Sequence, residues 1–382
     1  MVIETRNILF YIGYILFLIG QLLGHTLVPI SSQVRYVLIG VGGVCVGGQF
    51  VYSLLQKRYS TFSKQNIIFF ILFFIVSVIS MVKSNESIVV LDFLFILAAK
   101  DVDFDKILKI FIITATTLLF FTVICNAFGI TETVNIQRGN IVRHTFGYRF
   151  PTDFVQLIVY ILLADLVLCI EHHKNIFERI ILYILLGLFS LVYSDARLGS
   201  ATIFLLVPTI LLLRYGKRVL FSKPIKILEK YIFLLCTVLT IFIMNKFISG
   251  GSNLLIALDK FTSYRLTNTD MGIKFFGYTL WGQEIYSNIE QFFKGWFYID
   301  SSYYVFLLQY GSVLLILVEI GYIWSIRRCI NLRNYIIPFI CIFIALDSLI
   351  DQQFYLLEYN VFLLIPLTNI NSQYVEVNKE SL

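Results

Sequence analysis

The chain has 382 residues, of which 58% are apolar and 14% are charged, and its formal net charge is +6. A soluble domain carries roughly a quarter of its residues as charged side chains, so this composition excludes a set of soluble domains. No block of like charges is present, and an arm that binds nucleic acid is therefore not expected. The composition indicates an integral membrane protein.

Apolar runs follow one another along the whole chain, and most approach the length that crosses a hydrocarbon core about 30 Å thick. The first run is expected to be a retained span, because no small-residue cleavage site follows it. Barrel strands would alternate in polarity instead. We predict an all-α polytopic membrane protein, one transmembrane domain over residues 1–382, with about 12 transmembrane helices. The predicted spans are residues 8–24, 36–55, 66–82, 87–99, 107–128, 154–170, 180–193, 198–213, 231–249, 302–324, 335–350 and 354–370.

Basic residues set the predicted orientation, since Lys and Arg are retained on the cytoplasmic side of a membrane. With both termini cytoplasmic, most Lys and Arg residues fall inside. Two long loops, residues 129–153 and 250–301, then face outwards. Neither contains cysteine, so we expect no disulfide framework, and no spacing of ligand residues predicts a metal or a cofactor.

The first long loop carries basic residues on the outer face, against the usual bias. It contains Arg138, Arg143, His144 and Arg149. Binding of an anionic ligand is the simplest explanation for this cluster. The alternative is an ordinary solvated loop.

A short turn at residues 193–200 joins the seventh and eighth predicted spans. Both spans are short for a bilayer, so the turn is expected below the outer surface, with Asp195 as the partner of Arg197. An ionisable residue at that depth is a functional candidate, and a helix start adds free N–H groups. These features predict a phosphate or diphosphate site. The alternative is a structural Asp195–Arg197 clip.

The second long loop opens with a predicted amphipathic helix over residues 253–266. Leu254, Leu258, Phe261 and Arg265 recur on one helical face, which places Arg265 on the apolar stripe, either to bind an anion or to snorkel at an interface. The loop ends at Asp300, directly before the tenth span. Asp300 is either a helix-capping residue or a carboxylate that faces the same outer chamber as the arginines.

Four short motifs, in this order, resemble the bacterial O-antigen, capsular and exopolysaccharide repeat-unit polymerases of the Wzy type, which share a fold with the O-antigen ligases. The chain has Phe150-Pro151-Thr152 where that family commonly has His-Pro-Asn, and Asp300-Ser301 where it commonly has Asp-Asn or His-Asn. The motifs are residues 146–151, Arg197 within 194–200, Tyr264-Arg265 followed by Phe276-Gly277, and residues 300–303 leading to Tyr310-Gly311.

The resemblance implies a GT-C-like glycosyltransferase of the bacterial cytoplasmic membrane that needs no cofactor. Its substrate would be an undecaprenyl-diphosphate-linked oligosaccharide, delivered by a flippase, and a copolymerase that regulates chain length is a possible partner. The growing glycan would move from its carrier onto the non-reducing end of a new unit, with inversion. The implied roles are diphosphate binding for Arg197 and Arg265, proton removal for Asp300, and substrate contact for Arg143, Arg149, Asp195, Tyr264 and Tyr303.

Two alternatives remain open at the level of sequence. An O-antigen ligase would use the same chemistry with a different acceptor. A lipid-linked oligosaccharide flippase or exporter belongs to another class and would line a midplane pathway with cations, whereas the charges inside the predicted spans are acids, namely Asp92, Asp165, Glu319 and Asp347. A noncatalytic scaffold would leave the two long loops without a role.

Overall fold

The computed structural model describes residues 7–138, 140–172, 175–216, 220, 222–285 and 298–370, and these are mostly helical. Within them, seven helices are long and apolar enough to cross a membrane, which indicates a membrane-embedded protein. Three shorter apolar helices accompany them, Ile8–Gly24, Ile88–Ala98 and Ile336–Asp347. The seven long helices are Ser32–Leu55, Lys64–Ser84, Phe104–Ala127, Pro151–Glu171, Ile176–Ser194, Arg197–Tyr215 and Lys223–Ile248.

Apart from one longer helix, the remaining elements are short and belong mostly to the loops. Asn253–Phe261 and Arg265–Phe276 are helices of the second long loop, and Ser312–Asn331 is a longer helix near the C-terminal end. Short helices and two strands complete the elements of the described residues: 3-10 helices at Arg58–Thr61, Gln353–Tyr355 and Val361–Leu364, a one-turn α-helix at Ser302–Val305, a π-turn (one turn of π-helix) at Phe306–Tyr310, and strands Asn135–Arg138 and Ile141–His144.

The helix Pro151–Glu171 is the centre of the bundle, because 89% of its apolar 18-residue stretch is buried, whereas only 22% of the corresponding stretch of Ser32–Leu55 is buried. Phe150 is extended with φ −129° and ψ 146°, as the residue before a proline prefers. Pro151 then occupies the first turn, where its missing N–H leaves no helical hydrogen bond unmade. This junction fixes where the first long loop meets the central helix.

Two glycines set the close packing of the first two helices. A Cβ on Gly13 would lie 2.8 Å from the carbonyl oxygen of Gly42, and a Cβ on Gly42 would lie 2.8 Å from the carbonyl oxygen of Gly13. Small residues at a crossing let two backbones approach within a membrane. The helices Ile8–Gly24 and Ser32–Leu55 therefore form a tightly packed pair.

The predicted span 302–324 is interrupted by Gly311, which follows the π-turn Phe306–Tyr310 with φ 102°. Residues of the second long loop bond the interrupted backbone: the Thr279 N–H donates to the Leu307 carbonyl at 3.1 Å, and the Gln283 N–H donates to the Gln309 carbonyl at 2.9 Å. Irregular backbone at membrane depth is stable only when protein or water satisfies it. The second long loop is thus anchored inside the bundle.

We expect Gly311→Ala to lower the thermal unfolding midpoint of the purified protein in detergent. The added Cβ would lie 2.5 Å from the Leu280 carbonyl oxygen, at a positive φ of 102°. Backbone strain of this kind costs about 1–3 kcal/mol. The control is Gly321→Ala, in a helix and with no atom within 4 Å of the new Cβ; equal midpoints for the two variants would contradict the prediction.

The predicted twelfth span, residues 354–370, is wrong as a helix. It contains two 3-10 turns within an irregular segment that is almost wholly buried. Side chains satisfy its backbone instead: Arg328 donates to the carbonyls of Ile365, Pro366 and Thr368 at 3.0, 3.1 and 2.7 Å. The run is apolar because protein surrounds it, and apolarity alone did not distinguish this from lipid contact. The predicted total of twelve helices remains a prediction.

Candidate functional site

The two long loops meet at one end of the bundle, where two cavities lie side by side. We call them the arginine cavity, with about 690 Å³ of empty space, and the acidic cavity, with about 1000 Å³. Thr152 and Asp351 line both, so the cavities adjoin. The arginine cavity is lined by Arg138, Arg143, Asp195, Arg197, Arg265 and Asp351, among others. The acidic cavity is lined by Arg149, Phe150, Asp153, Tyr298, Asp300 and Asp351, among others.

A β-hairpin in the first long loop brings two arginines to the arginine cavity. Asn135–Arg138 pairs antiparallel with Ile141–His144, with Arg138 opposite Ile141 and Arg143 opposite Ile136. Since side chains alternate along a strand, Arg138 and Arg143 share one face of the hairpin. Ser194 at the end of a long helix fastens the hairpin, because its hydroxyl donates to the His144 carbonyl at 3.2 Å.

Arg143 is a buried cation that lies close to other arginines. Its side chain is 8% exposed, and its Nε donates to the Ser194 carbonyl at 3.0 Å. Among the residues that the structure describes, its buried Nη2 has no hydrogen-bond partner. Burial, reinforced by Arg138, lowers the pKa of Arg143 to about 10, so it stays charged at neutral pH. A buried, unsatisfied guanidinium nitrogen favours an incoming anion.

Asp195 holds two of the arginines together. It adopts a left-handed conformation with φ 42°, which Asp tolerates better than most residues, between two long helices. Its carboxylate lies 3.1 Å from Arg138 Nη1 and 3.1 Å from Arg197 Nε. The predicted pairing of Arg197 with Asp195 is therefore present. Arg197 Cζ also lies 5.7 Å from the centre of the Phe261 ring.

The prediction of one continuous helix over residues 253–266 is wrong, because the first helix ends at Phe261 and a second begins at Arg265. Ser263 and Tyr264 are both left-handed, with φ 64° and 63°, and a new helix begins at Arg265. The side chain of Asp259 caps that new helix by accepting from the Leu266 N–H at 2.9 Å and the Thr267 N–H at 3.2 Å. Arg265 therefore occupies a helix start and does not continue the stripe of Leu254 and Phe261.

Arg265 lies between two carboxylates. Its Nε is 3.7 Å from Asp300 Oδ2 and its Nη1 is 3.8 Å from Asp351 Oδ1, and Nη1 also donates to the Ile350 carbonyl. Burial lowers the pKa of Arg265, but Asp351, Asp300, Asp347 and Tyr298 together raise it by more, so the guanidinium stays charged. Arg265 is thus the link between the arginine cavity and the two acids beside it.

Asp300 is a weakly acidic carboxyl group in the acidic cavity. Burial raises its pKa to about 6, with Arg265 opposing the rise and Asp351 adding to it. Nearby, the Gln352 amide donates to the Tyr298 hydroxyl, and the ring of Tyr298 lies 6.1 Å from that of Phe150. A carboxylate beside aromatic rings is suited to hold and deprotonate a polyhydroxylated ligand.

The structure separates the other predicted site residues from the arginine cavity. Arg149 lines the acidic cavity instead. Tyr264 is exposed and lines neither cavity, because its backbone forms the left-handed break. Tyr303 is fully buried: its hydroxyl donates to the Ala345 carbonyl at 3.0 Å and its ring packs on Phe354.

Sequence reasoning placed Arg138 only within the basic cluster of the first loop and did not name Gln156 or Asp351, yet all three line the arginine cavity. Arg138 was visible as one of the basic residues of the first loop, but its place depended on hairpin register. Asp351 lies one helical turn beyond Asp347, and its N–H donates to the Asp347 carbonyl at 2.9 Å. That i, i+4 spacing of acids at the end of an apolar run was the available signal.

The described residues include no group of three or more His, Cys, Asp or Glu side chains that could hold a metal ion. Arginine side chains supply the positive charge among the residues that line the arginine cavity. Comparison of the chain with protein-family models, with curated proteins and with solved structures gave no match.

Proposed function

We propose that this protein is a polysaccharide repeat-unit polymerase with a GT-C-like fold, a membrane glycosyltransferase that acts on polyprenyl-diphosphate-linked oligosaccharides. The growing glycan is transferred, with inversion, from its carrier to the non-reducing end of a second lipid-linked unit. The arginine cavity faces outwards from the bacterial cytoplasmic membrane in this proposal, and both termini are cytoplasmic. The resemblance of the sequence motifs to Wzy-type polymerases supports the choice of reaction.

The charge of the arginine cavity is the observation that carries the proposal. Four guanidinium groups line it with two carboxylates, those of Asp195 and Asp351, so its lining carries a net positive charge. Asp300 offsets part of that charge through its ion pair with Arg265. A diphosphate esterified at both ends carries two negative charges. The free Nη2 of Arg143 offers one donor, within the described residues, for a phosphate oxygen. The cavity is therefore complementary to the diphosphate of a lipid-linked sugar in the sign of its charge, and it offers a free hydrogen-bond donor.

The reaction needs stabilisation of the leaving diphosphate and removal of one proton. Arg197 and Arg265 would receive the charge that develops on the leaving group, because guanidinium groups bind phosphate oxygens in pairs, and preorganised cations at a departing charge make a large contribution to catalysis. Asp300 would accept the proton of the acceptor hydroxyl. Arg149, Tyr298 and Phe150 would contact the acceptor sugars in the acidic cavity.

The test is to place purified protein in lipid vesicles with a polyprenyl-diphosphate repeat unit and to analyse the lipid-linked products. The proposal predicts a ladder of oligomers on the carrier. Transfer of the glycan to a different acceptor, with no ladder, would indicate a ligase. Movement of the lipid across the vesicle membrane without any new glycosidic bond would indicate a flippase and would contradict the proposal.

We expect Phe261→Ala to weaken binding of a prenyl diphosphate by about twofold to thirtyfold, because a ring contact and cation–π interaction contribute roughly 0.5–2 kcal/mol. Phe261 lines the arginine cavity beside Arg197. In the proposed complex, the prenyl chain extends from the diphosphate past this ring. Inorganic pyrophosphate should bind both proteins alike. The control is Leu254→Ala on the same helix, 76% exposed and outside the cavity; an equal loss there would refute the assignment.

A further inference from the structure

Two acids from separate parts of the chain compete for Arg265. Asp300 precedes the turn Ser302–Val305, and Asp351 follows the helix Ile336–Asp347. The ion pairs measure 3.7 and 3.8 Å, whereas charge-assisted hydrogen bonds measure about 2.7–2.9 Å. Neither acid therefore binds the guanidinium tightly, and among the described residues no salt bridge gives either acid a second cation.

Asp351 is fixed in place at the wall that the two cavities share. Its Oδ2 accepts from the Gln156 amide at 2.5 Å. Its backbone carbonyl accepts from the Ser302 hydroxyl at 2.6 Å and from the Ser302 N–H at 3.1 Å. The side chain lines the arginine cavity and the acidic cavity together. When Arg265 changes its ion-pair partner, the charge around Asp351 therefore changes in both cavities.

We propose that a phosphate group in the arginine cavity takes Arg265 away from Asp300 and Asp351, and that these two acids then bind one solvent proton between them. No covalent bond of the ligand changes in this step. The phosphate oxygens replace the carboxylates around the guanidinium, and one carboxylate oxygen gains a proton. The inference rests on the proposed function for the identity of the ligand as a diphosphate ester.

The physical reason is that two neighbouring buried carboxylates cannot both stay ionised once their shared cation is neutralised. Burial already raises the pKa of Asp351, and Arg265 and the Gln156 amide oppose that rise. For Asp300, burial raises the pKa and Arg265 is the opposing charge. A bound diphosphate cancels this opposing charge and adds negative charge of its own.

On the side of the acidic cavity, the other ionisable groups around the pair are mostly acidic, whereas Arg138, Arg143 and Arg197 line the arginine cavity with Asp351. Asp153 and Tyr298 line the acidic cavity, and Asp347 lies one turn before Asp351. Arg149 is the opposing cation in that cavity. His25 lies near Asp153 and is bonded to Glu358 at 3.3 Å. With Arg265 engaged by phosphate, this environment favours protonation of one carboxylate.

The coupling gives Asp351 the role of a positioning residue. In the ligand-free protein it helps to hold Arg265 beside the Ile350 carbonyl. After ligand binding, one shared proton leaves the other carboxylate of the pair ionised and able to accept the acceptor hydroxyl proton. Occupation of the arginine cavity would thereby prepare the acidic cavity for the second substrate.

The experiment is isothermal titration of the full chain in detergent with geranyl methyl diphosphate, a diester with no group that titrates near neutral pH. Titrations in two buffers of different ionisation enthalpy give the number of protons bound with the ligand. We expect net uptake of up to one proton, with affinity falling by up to about tenfold per pH unit as pH rises. Wild-type protein alone suffices for this measurement.

Variants then assign the proton. Asp351→Asn and Asp300→Asn should each reduce the uptake, and the double variant should bind the probe at least as tightly as wild type with no uptake. The control is Asp165→Asn, since Asp165 pairs with Arg179 at 3.0 Å away from both cavities; it should leave uptake unchanged.

Each contrary outcome is distinct. Binding by wild type with no buffer dependence would overturn the coupling and leave the proposed function standing. Proton uptake that persists in the double variant would overturn its assignment to these acids. Absence of binding by wild type would overturn both the coupling and the diphosphate site.

Discussion

Arg265→Ala is expected to leave carrier lipids with a single repeat unit and to reduce the rate of polymerisation by about 10²–10³-fold, the cost of removing one donor to a developing negative charge. Arg265 is the cation that links the arginine cavity to Asp300 and Asp351. The measurement is the ladder of lipid-linked oligomers formed in vesicles, with the amount of protein in the membrane determined in parallel.

The series around this change has two further members. Arg265→Lys should recover little activity, because an ammonium group lacks the planar fork that binds two phosphate oxygens. Arg35→Ala is the control, since Arg35 lies on the predicted outer side but lines neither cavity. A normal ladder from both Arg265 variants, at normal protein levels, would refute the role of Arg265.

Asp300→Asn is expected to reduce the turnover rate by about 10²–10⁴-fold, the usual contribution of a general base, while a diphosphate probe still binds. The pKa of Asp300 is about 6 because the group is buried. A base acts when it is deprotonated, so the wild-type rate at saturating diphosphate donor should fall as pH drops through the pKa of this carboxyl group and level off above it. The variant should lose this acidic limb.

The measurement is the initial rate of transfer as a function of pH for the two proteins. Asp270→Asn is the matched control, because Asp270 lies on the helix that begins at Arg265 and pairs with Lys274 at 2.7 Å. The rate and pH profile of this variant should match those of wild type. An unchanged acidic limb in Asp300→Asn would show that another group accepts the proton.

The helical spans were the most predictable part of the fold, because continuous apolar runs fix both helix and approximate length. The predicted span 154–170 lies within the observed helix Pro151–Glu171. Apolar composition failed where the chain itself supplied the surroundings. Residues 354–370 are as apolar as a span, yet Asn360 and Arg328 side chains bond their backbone carbonyls and no long helix forms.

The candidate site was predictable where its residues are close in sequence. Asp195 and Arg197 are two residues apart, and their ion pair was expected. Arg138 and Asp351 were not assigned, because the first depends on hairpin register and the second on the approach of two distant segments. Residue type can suggest an anion site, but only the fold determines which carboxylates already form ion pairs with its arginines.

The irregular segment after Asp351 has a consequence for the biogenesis of the protein. A helix that bonds its own backbone can enter a bilayer alone, but residues 354–370 cannot, since their carbonyls depend on donors such as Arg328. This stretch therefore reaches its final place only after the surrounding helices have assembled. Asp351 precedes this stretch, so the arginine cavity is completed late, when residues 354–370 dock.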